Sequence, residues 1–191
     1  MKNAKKSIFW EWAESIIIAL CLAMVIRTFV VQAFKIPTGS MRSTLLEGDL
    51  ILVNKFIYGA KIPFTSLNLP LIRKPQKGDV VVFIYPNDPK KDFIKRLVAA
   101  EGETVEIRNG TIYINDQPLL GSVFNRIYYY NRGDFAAEGK KITVPKGHFF
   151  VLGDNSASSQ DSRYWGFVPQ KNLLGKAIVI YWPPQRIRII K

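Results

Sequence analysis

The sequence has one cysteine and one histidine in 191 residues, and this scarcity excludes several kinds of chemistry. The single thiol, Cys21, cannot form an internal disulfide, and it lies in an apolar segment as a small buried side chain would. One histidine and one cysteine cannot build a zinc site, and no HExxH motif or EF-hand loop occurs. His148 sits in an apolar run beside Phe149 and Phe150. If a hydroxyl is the nucleophile in this chain, lysine is the better candidate for its base.

Acidic residues are also few, with 15 Asp and Glu against 27 Lys and Arg, a net charge of +12. Such a charge attracts nucleic acid or anionic lipid headgroups. The cations are scattered along the chain, however, and no RNA-binding signature or zinc-finger spacing appears. The composition therefore favours a solvated basic surface, and we expect no nucleic-acid partner. A hydrophobic content of 48% excludes a disordered chain, and the length allows one substantial core with an inserted lobe.

The longest uncharged stretch is Ser15 to Ile26, which is shorter than the ~20 residues that cross a bilayer. Trp10 and Trp12 upstream suit an interfacial aromatic belt, and Arg27 at the far end can extend into the headgroups. We therefore predict a single transmembrane anchor over residues 8–31, after a short cytoplasmic tail at 1–7.

A cleavable signal peptide is the alternative for this segment, because Lys2, Lys5 and Lys6 form a positive start. The stretch Val31-Gln32-Ala33 offers no clean small-x-small cleavage site, so an uncleaved anchor is preferred. Positive charges flank both ends and barely discriminate the orientation.

Downstream of the anchor the pattern is that of strands, with β-branched and aromatic runs bounded by Gly, Pro, Asn or Asp. Asn109-Gly110 separates two of these runs and indicates a two-residue hairpin. We predict a mostly β fold: an antiparallel sheet or partial barrel formed by residues 32–102 and 147–191, with a smaller β lobe inserted at 103–146. The runs begin at Asp49, Asp79, Thr104, Thr111, Lys141, His148 and Lys176.

Two short segments carry candidate chemistry. Pro37-Thr38-Gly39-Ser40-Met41 is a tight connection that can present a serine hydroxyl at a surface. In the run from Asp92 to Val98, alternation places Lys95 on an apolar strand face. Desolvation there lowers the pKa of the amine, which makes it available as a base near neutral pH.

A third segment, Gly153 to Gly166, is too polar for a strand interior and contains Ser-Gln-Asp-Ser-Arg. With it the sequence resembles the type I signal peptidases, membrane-anchored endopeptidases with a Ser/Lys dyad. The resemblance covers nearly the whole chain, from the anchor through the Ser40 segment, Gly78 to Phe83 and Lys95-Arg96 to this last segment, in the family's order. Ser43, where the family often has Pro, and Ser156-Ala157-Ser158, in place of Arg-Asp-Asn, depart from the pattern and put local stability in doubt.

The resemblance implies the role of each site residue. Ser40 is the nucleophile of an acyl-enzyme mechanism, and Lys95 is the general base. Thr38 and the Ser40 main-chain N–H form the oxyanion hole, and Ser159 hydrogen-bonds and orients the lysine. Supporting ion pairs are implied for four residues, Asp161 with Arg163 and Asp154 with Arg96.

The implied substrates are secretory preproteins whose signal peptides carry small residues at −1 and −3. An extended substrate would pair with a strand edge near Lys95. The enzyme would use no metal or nucleotide cofactor. The implied location is the bacterial cytoplasmic membrane, with a single span, lipid contact and the catalytic domain on the extracytoplasmic side. The residues expected to line the substrate pockets are Phe34, Ile36, Met41, Leu45, Ile51, Val82 and Ile94.

Two other functions compete with this interpretation. A self-cleaving repressor-type Ser/Lys peptidase resembles the same catalytic core, but it would carry a DNA-binding module and no anchor, and no helix-turn-helix pattern appears. A noncatalytic basic β-domain at the membrane would bind acidic partners. The ordered Ser40, Lys95 and Ser159 segments argue against it.

Overall fold

The structure, a computed structural model, describes residues 8–25, 31–59 and 72–191. Within these ranges it has two α-helices, α1 (Ile8–Val25) and α2 (Ser162–Trp165). Besides short 3-10 turns, the described residues form twelve strands: β1 (Val31–Lys35), β2 (Leu50–Asn54), β3 (Val80–Ile84), β4 (Asp92–Ala100), β5 (Thr104–Arg108), β6 (Thr111–Ile114), β7 (Gln117–Pro118), β8 (Ile142–Thr143), β9 (His148–Leu152), β10 (Val168–Pro169), β11 (Leu173–Trp182) and β12 (Arg188–Ile189).

The main sheet has eight strands in the order β1-β2-β11-β3-β4-β9-β10, with β12 paired to β11. Every pairing in it is antiparallel, so the predicted mostly β, antiparallel fold is confirmed. β3 is buried on both faces, because Val80 and Val82 pack into one apolar cluster and Val81 and Phe83 into another. This two-sided burial explains why its sequence is apolar without alternation.

A second, four-stranded sheet has the order β7-β6-β5-β8 and lies in the chain between β4 and β9. β5 and β6 form the hairpin predicted at Asn109-Gly110, where both residues have positive φ angles, 49° and 78°. Val105 and Ile112 of this sheet share one core with Val98 of β4 and Phe150 of β9. The inserted sheet therefore packs onto the main sheet through a common core, while the domain bounds at 103 and 146 stay a prediction.

Helix α1 exposes most of its apolar side chains, among them Ile8, Phe9, Trp10, Trp12, Ile16, Ile17, Ile18, Leu20, Leu22 and Met24. Among the helices within the described residues, none has the length and apolarity required to span a membrane. The anchor predicted for residues 8–31 is longer than α1, and its last residue, Val31, begins strand β1 instead. The predicted tail at 1–7 and residues 26–30 lie outside the described residues.

Candidate active site

Ser40 lies in a single 3-10 turn, Gly39–Met41, between β1 and β2. Asn155 holds this turn from the other end of the chain: its main-chain N–H donates to the Ser40 carbonyl at 3.0 Å, and its side-chain amide donates to the Gly39 carbonyl at 2.9 Å. Met41 is fully buried. The turn is therefore anchored by hydrogen bonds and by packing, and Ser40 is left half-buried.

Lys95 reaches this turn from the first half of β4. Its Nζ lies 2.7 Å from Ser40 Oγ and donates to the Ile94 carbonyl at 3.0 Å. Lys95 is buried beside Phe93, as predicted for an apolar strand face, because Nζ lies 5.5 Å from the centre of the Phe93 ring and only 3% of Lys95 is exposed. The structure thus brings Ser40 and Lys95, separated by 55 positions, into direct contact.

Burial lowers the pKa of Lys95 to about 8, since an apolar environment disfavours the ammonium form. The carboxylates of Asp161 and Asp154 oppose this effect and raise the pKa, whereas Arg163 lowers it. An amine with this pKa is neutral in about a tenth of molecules at pH 7 and about half at pH 8. In that form Nζ can accept the Ser40 proton, which makes the pair chemically able to generate an alkoxide nucleophile.

Two buried ion pairs support the site, and both are those that the resemblance implies. Arg96 binds Asp154 through two hydrogen bonds of 2.8 and 2.6 Å, and Arg163 binds Asp161 through two of 2.8 Å. The exposed fraction of each of these side chains is 1% or less. Paired guanidinium and carboxylate groups of this kind are rigid, and loss of one partner leaves a buried charge uncompensated.

The two departures from the family pattern differ in their local backbone and contacts. Ser43 has a φ angle of 87°, which proline cannot adopt. Ser156 is buried, and its hydroxyl accepts hydrogen bonds from Arg163 at 2.8 Å and from the Tyr130 N–H at 3.0 Å. The expected loosening is therefore offset at Ser156 by a hydrogen bond to one of the two buried arginines, whereas the positive φ angle of Ser43 is a strained conformation for a residue with a Cβ atom.

Ser159 does not form the contact expected of it, and the contact expected of Thr38 is with a substrate oxyanion. Thr38 is exposed in extended backbone before the Ser40 turn, and its side chain makes no capping hydrogen bond there. Ser159 is buried, but its Oγ has no hydrogen-bond partner among the described residues, so the expected bond to Lys95 is absent. The roles of both residues stay predictions.

Sequence reasoning missed two residues that hold the site together, Gly153 and Asn155. A Cβ atom at Gly153 would overlap Ser159 Oγ and approach the Ser40 carbonyl oxygen to 2.5 Å. Only glycine lets the segment that carries Asp154 and Ser159 pack this closely against the nucleophile. The sequence feature that could have identified Gly153 and Asn155 is their position at the start of the polar segment from Gly153 to Gly166.

The seven residues expected to line substrate pockets do gather in one apolar cluster. Five of them are buried core residues, however, and three, Met41, Leu45 and Ile51, have no exposed surface. In this structure these three belong to the core and present no surface to a substrate. Phe34 and Ile94 are the partly exposed members, so they are the ones available for direct contact.

One edge of β4 is open beside these residues. β4 pairs with β3 over Asp92 to Arg96, but its pairing with β9 begins only at Arg96. The backbone from Asp92 to Lys95 therefore has an unpaired side within the described sheet. Such an edge can bind an extended peptide through main-chain hydrogen bonds.

Comparison with known proteins identifies the family to which the sequence is similar. A family model described as "Signal peptidase, peptidase S26" matches residues 9–182. A signal peptidase I of Pseudomonas aeruginosa is 35% identical over 97% of this chain and 78% of its own length. A signal peptidase I of Aquifex aeolicus is 35% identical over 82% of this chain and 78% of its own.

A protein named probable signal peptidase I-1 from Synechocystis is 34% identical and covers 97% of this chain and 91% of its own length. Among solved structures, a signal peptidase I from Enterococcus faecalis shares 36% identity and covers 55% of this chain and 97% of its own, with a TM-score of 0.44.

Proposed function

Because this chain belongs to the signal peptidase family, peptidase S26, whose members are serine endopeptidases that cleave signal peptides, we propose that it does so through a Ser40/Lys95 dyad. The observation that carries the proposal is the 2.7 Å contact between Ser40 Oγ and Nζ of the buried Lys95. Its substrates are secretory preproteins with small residues at −1 and −3.

The reaction begins when neutral Lys95 accepts the Ser40 proton and Oγ attacks the scissile carbonyl carbon. The tetrahedral intermediate collapses to an acyl-enzyme ester, and the ammonium returns the proton to the departing amine of the mature protein. A water molecule, deprotonated by Lys95 in turn, then attacks the ester carbonyl, and the ammonium returns this proton to Ser40 Oγ as the signal peptide leaves with a new carboxylate. Protons therefore balance over the cycle.

The oxyanion formed in each step requires preorganised donors. The Ser40 N–H and the Thr38 hydroxyl are the proposed pair, since Thr38 directly precedes the turn and its exposed side chain is free to rotate toward a substrate. Each such donor is worth about 3 kcal/mol to the transition state. The buried and unpaired hydroxyl of Ser159 is the proposed partner for Lys95 when the lysine side chain moves during the cycle.

Substrate recognition uses the open edge of β4. An extended signal peptide that pairs with Asp92 to Lys95 brings alternate side chains toward Phe34 and Ile94. Small side chains at −1 and −3 are proposed to contact these two residues.

The N-terminal segment is the proposed membrane anchor, with the catalytic domain on the extracytoplasmic side of a bacterial cytoplasmic membrane. Support comes from the apolar side chains that α1 exposes, including Ile16, Ile17 and Leu20. Tethering of enzyme and substrate to one membrane would raise their effective concentration.

The test is cleavage of a purified preprotein by the full chain in detergent, with Ser40→Ala and Lys95→Met beside wild type. We expect each variant to lose at least a thousandfold in kcat/KM, because neither nucleophile nor base can be replaced. Lys171→Gln removes an exposed cation outside the site and should cleave like wild type. Full activity of either dyad variant would refute the mechanism.

A further inference from the structure

An open cleft of about 840 Å³ lies beside the Ser40 turn and is not used by the mechanism above. It is formed where the turn, the inserted region around residues 122–130 and the C-terminal strand β12 meet. We call it the Arg126 cleft; its principal lining residues are Arg42, Thr44, Arg126, Tyr130, Asn155 and Arg188.

The Arg126 cleft begins at the segments that hold the nucleophile. Asn155, which lines it, donates to the Ser40 carbonyl, and Thr44 lies four residues beyond Ser40. No residue of β1 or β4 lines it, so it is separate from the surface around Phe34 and Ile94. A peptide whose upstream part occupies the β4 edge, with its scissile bond at Ser40, therefore has a second surface open to its downstream part.

The charge of the cleft is positive and largely unneutralised. Arg126 is exposed, and among the described residues its guanidinium has neither an ion pair nor a hydrogen bond. Arg188 donates to the Thr44 carbonyl at 2.6 Å and forms no salt bridge in the described part of the chain, although its charge helps to lower the pKa of Asp49. Arg42 is paired with Glu47.

Carboxylates of the cleft itself do not offset these arginines. Of the residues described as lining it, Asp154 is the one with a carboxylate side chain, and it is buried and bound twice by Arg96. An anionic group that enters the cleft thus meets Arg126 and Arg188 with few competing negative charges.

We propose that the Arg126 cleft binds the first residues of the mature protein, downstream of the scissile bond, and selects acidic side chains there. The inference rests on the proposed function, because it assigns the leaving-group side of the same site. Arg126 and Arg188 are specificity residues in it. They attract the segment that leaves with the new amino terminus, and they take no part in bond cleavage.

The test uses three preproteins that share one signal peptide and differ only at positions +2 to +5, which carry two Glu, two Gln or two Lys residues. The full chain cleaves them in a zwitterionic detergent at low ionic strength, and kcat/KM is measured for each. Exposed charge pairs contribute about a twofold to fivefold change each, so we expect wild type to prefer Glu over Lys by roughly tenfold. This preference should weaken as salt is added.

Arg126→Gln should reduce the Glu-to-Lys ratio several-fold, and Arg126→Glu should bring it to one or reverse it. Lys171→Gln removes the same charge outside the cleft and should keep the wild-type ratio. A wild-type ratio near one, or a ratio that Arg126→Glu leaves unchanged, overturns the proposal.

A lipid headgroup is the other anion that such a cleft could bind, and it gives a different result. If the substrate ratio is unchanged in Arg126→Gln while binding of the chain to phosphatidylglycerol vesicles weakens relative to Lys171→Gln, the cleft is a lipid site and the proposal is wrong. Failure of the proposed function is separately visible, because the Gln preprotein would then be cleaved equally by wild type and Ser40→Ala.

Discussion

Lys95 is the residue on which the chemistry of this site depends, and its environment sets the pH at which it can act. Its folded-state pKa, about 8, lies below the ordinary value of 10.5 because the side chain is buried. The neutral amine is the active form, so kcat/KM should rise with pH through an acid limb near 8 and reach a plateau above about pH 9. The measurement is the pH profile of preprotein cleavage by the full chain.

A substitution of the amine itself identifies the titrating group. Lys95→Cys, made in a Cys21→Ser background and alkylated with bromoethylamine, places a thioether analogue of lysine at this position. Its amine is more acidic than that of lysine, so the acid limb should move to lower pH. Cys21→Ser alone, treated with the same reagent, should keep the wild-type profile. An unmoved limb in the alkylated variant would assign the titration to another group.

At the scale of the element, the first half of β4 is both a sheet strand and an open edge. Its pairing with β9 starts at Arg96, so the backbone from Asp92 to Lys95 has no strand partner on one side, although the Ile94 carbonyl accepts a hydrogen bond from Lys95 Nζ. Because only alternate residues of a strand point their N–H and C=O groups to a given side, a bound peptide should pair at every second position. Backbone N-methylation of a peptide substrate at successive positions from −2 to −5 tests this alternation.

Methylation at a paired position should lower kcat/KM by about twofold to tenfold, the value of one hydrogen bond, and methylation at the next position should have little effect. A substrate methylated well upstream of the edge serves as the matched control. Equal losses at all four positions would show that the substrate does not bind as a strand.

The elements differ in how far the sequence predicts them. Some strands are predictable from the local sequence, because they are β-branched or aromatic runs bounded by turn residues; these are β2, β3, β5, β6, β9 and β11. The turn between β5 and β6 is also predictable, since Asn109 and Gly110 tolerate the positive φ angles that they adopt. β1 was not predicted, because its Val31–Lys35 run continues the apolar segment and only pairing with β2 separates it. The Asn155 contacts with the Ser40 turn join residues 115 to 116 positions apart. No local pattern encodes such contacts, and resemblance to a family supplied the pairing of Ser40 with Lys95.

In the molecule as a whole, distant segments are joined by buried carboxylates, and Asp79 at the start of β3 is the clearest example. It accepts hydrogen bonds from Tyr58 at 2.7 Å and Arg73 at 2.9 Å, and it forms an ion pair with Lys176 of β11 at 2.7 Å. Burial alone would raise its pKa, but these donors outweigh it and lower the pKa to about 2. Asp79 thus connects the segment after β2, the approach to β3 and the centre of β11.

This depressed pKa predicts how the whole fold responds to acid. A carboxylate whose folded-state pKa is about 2, below the ordinary 3.8, contributes stability that is present above about pH 4 and is lost as pH falls toward 2. The contribution is about 2 kcal/mol at neutral pH. Asp79→Asn should therefore lower the free energy of unfolding by at least that amount at pH 7, because Arg73 and Lys176 also lose their partner.

Urea unfolding of the full chain in detergent, followed between pH 7 and pH 2, measures this effect. The difference in the free energy of unfolding between wild type and Asp79→Asn should shrink as Asp79 of the wild type becomes protonated. Asp134→Asn, which removes an exposed carboxylate, should track wild type throughout. A constant difference between Asp79→Asn and wild type across this range would mean that the packing of the side chain, and not its charge, joins these segments.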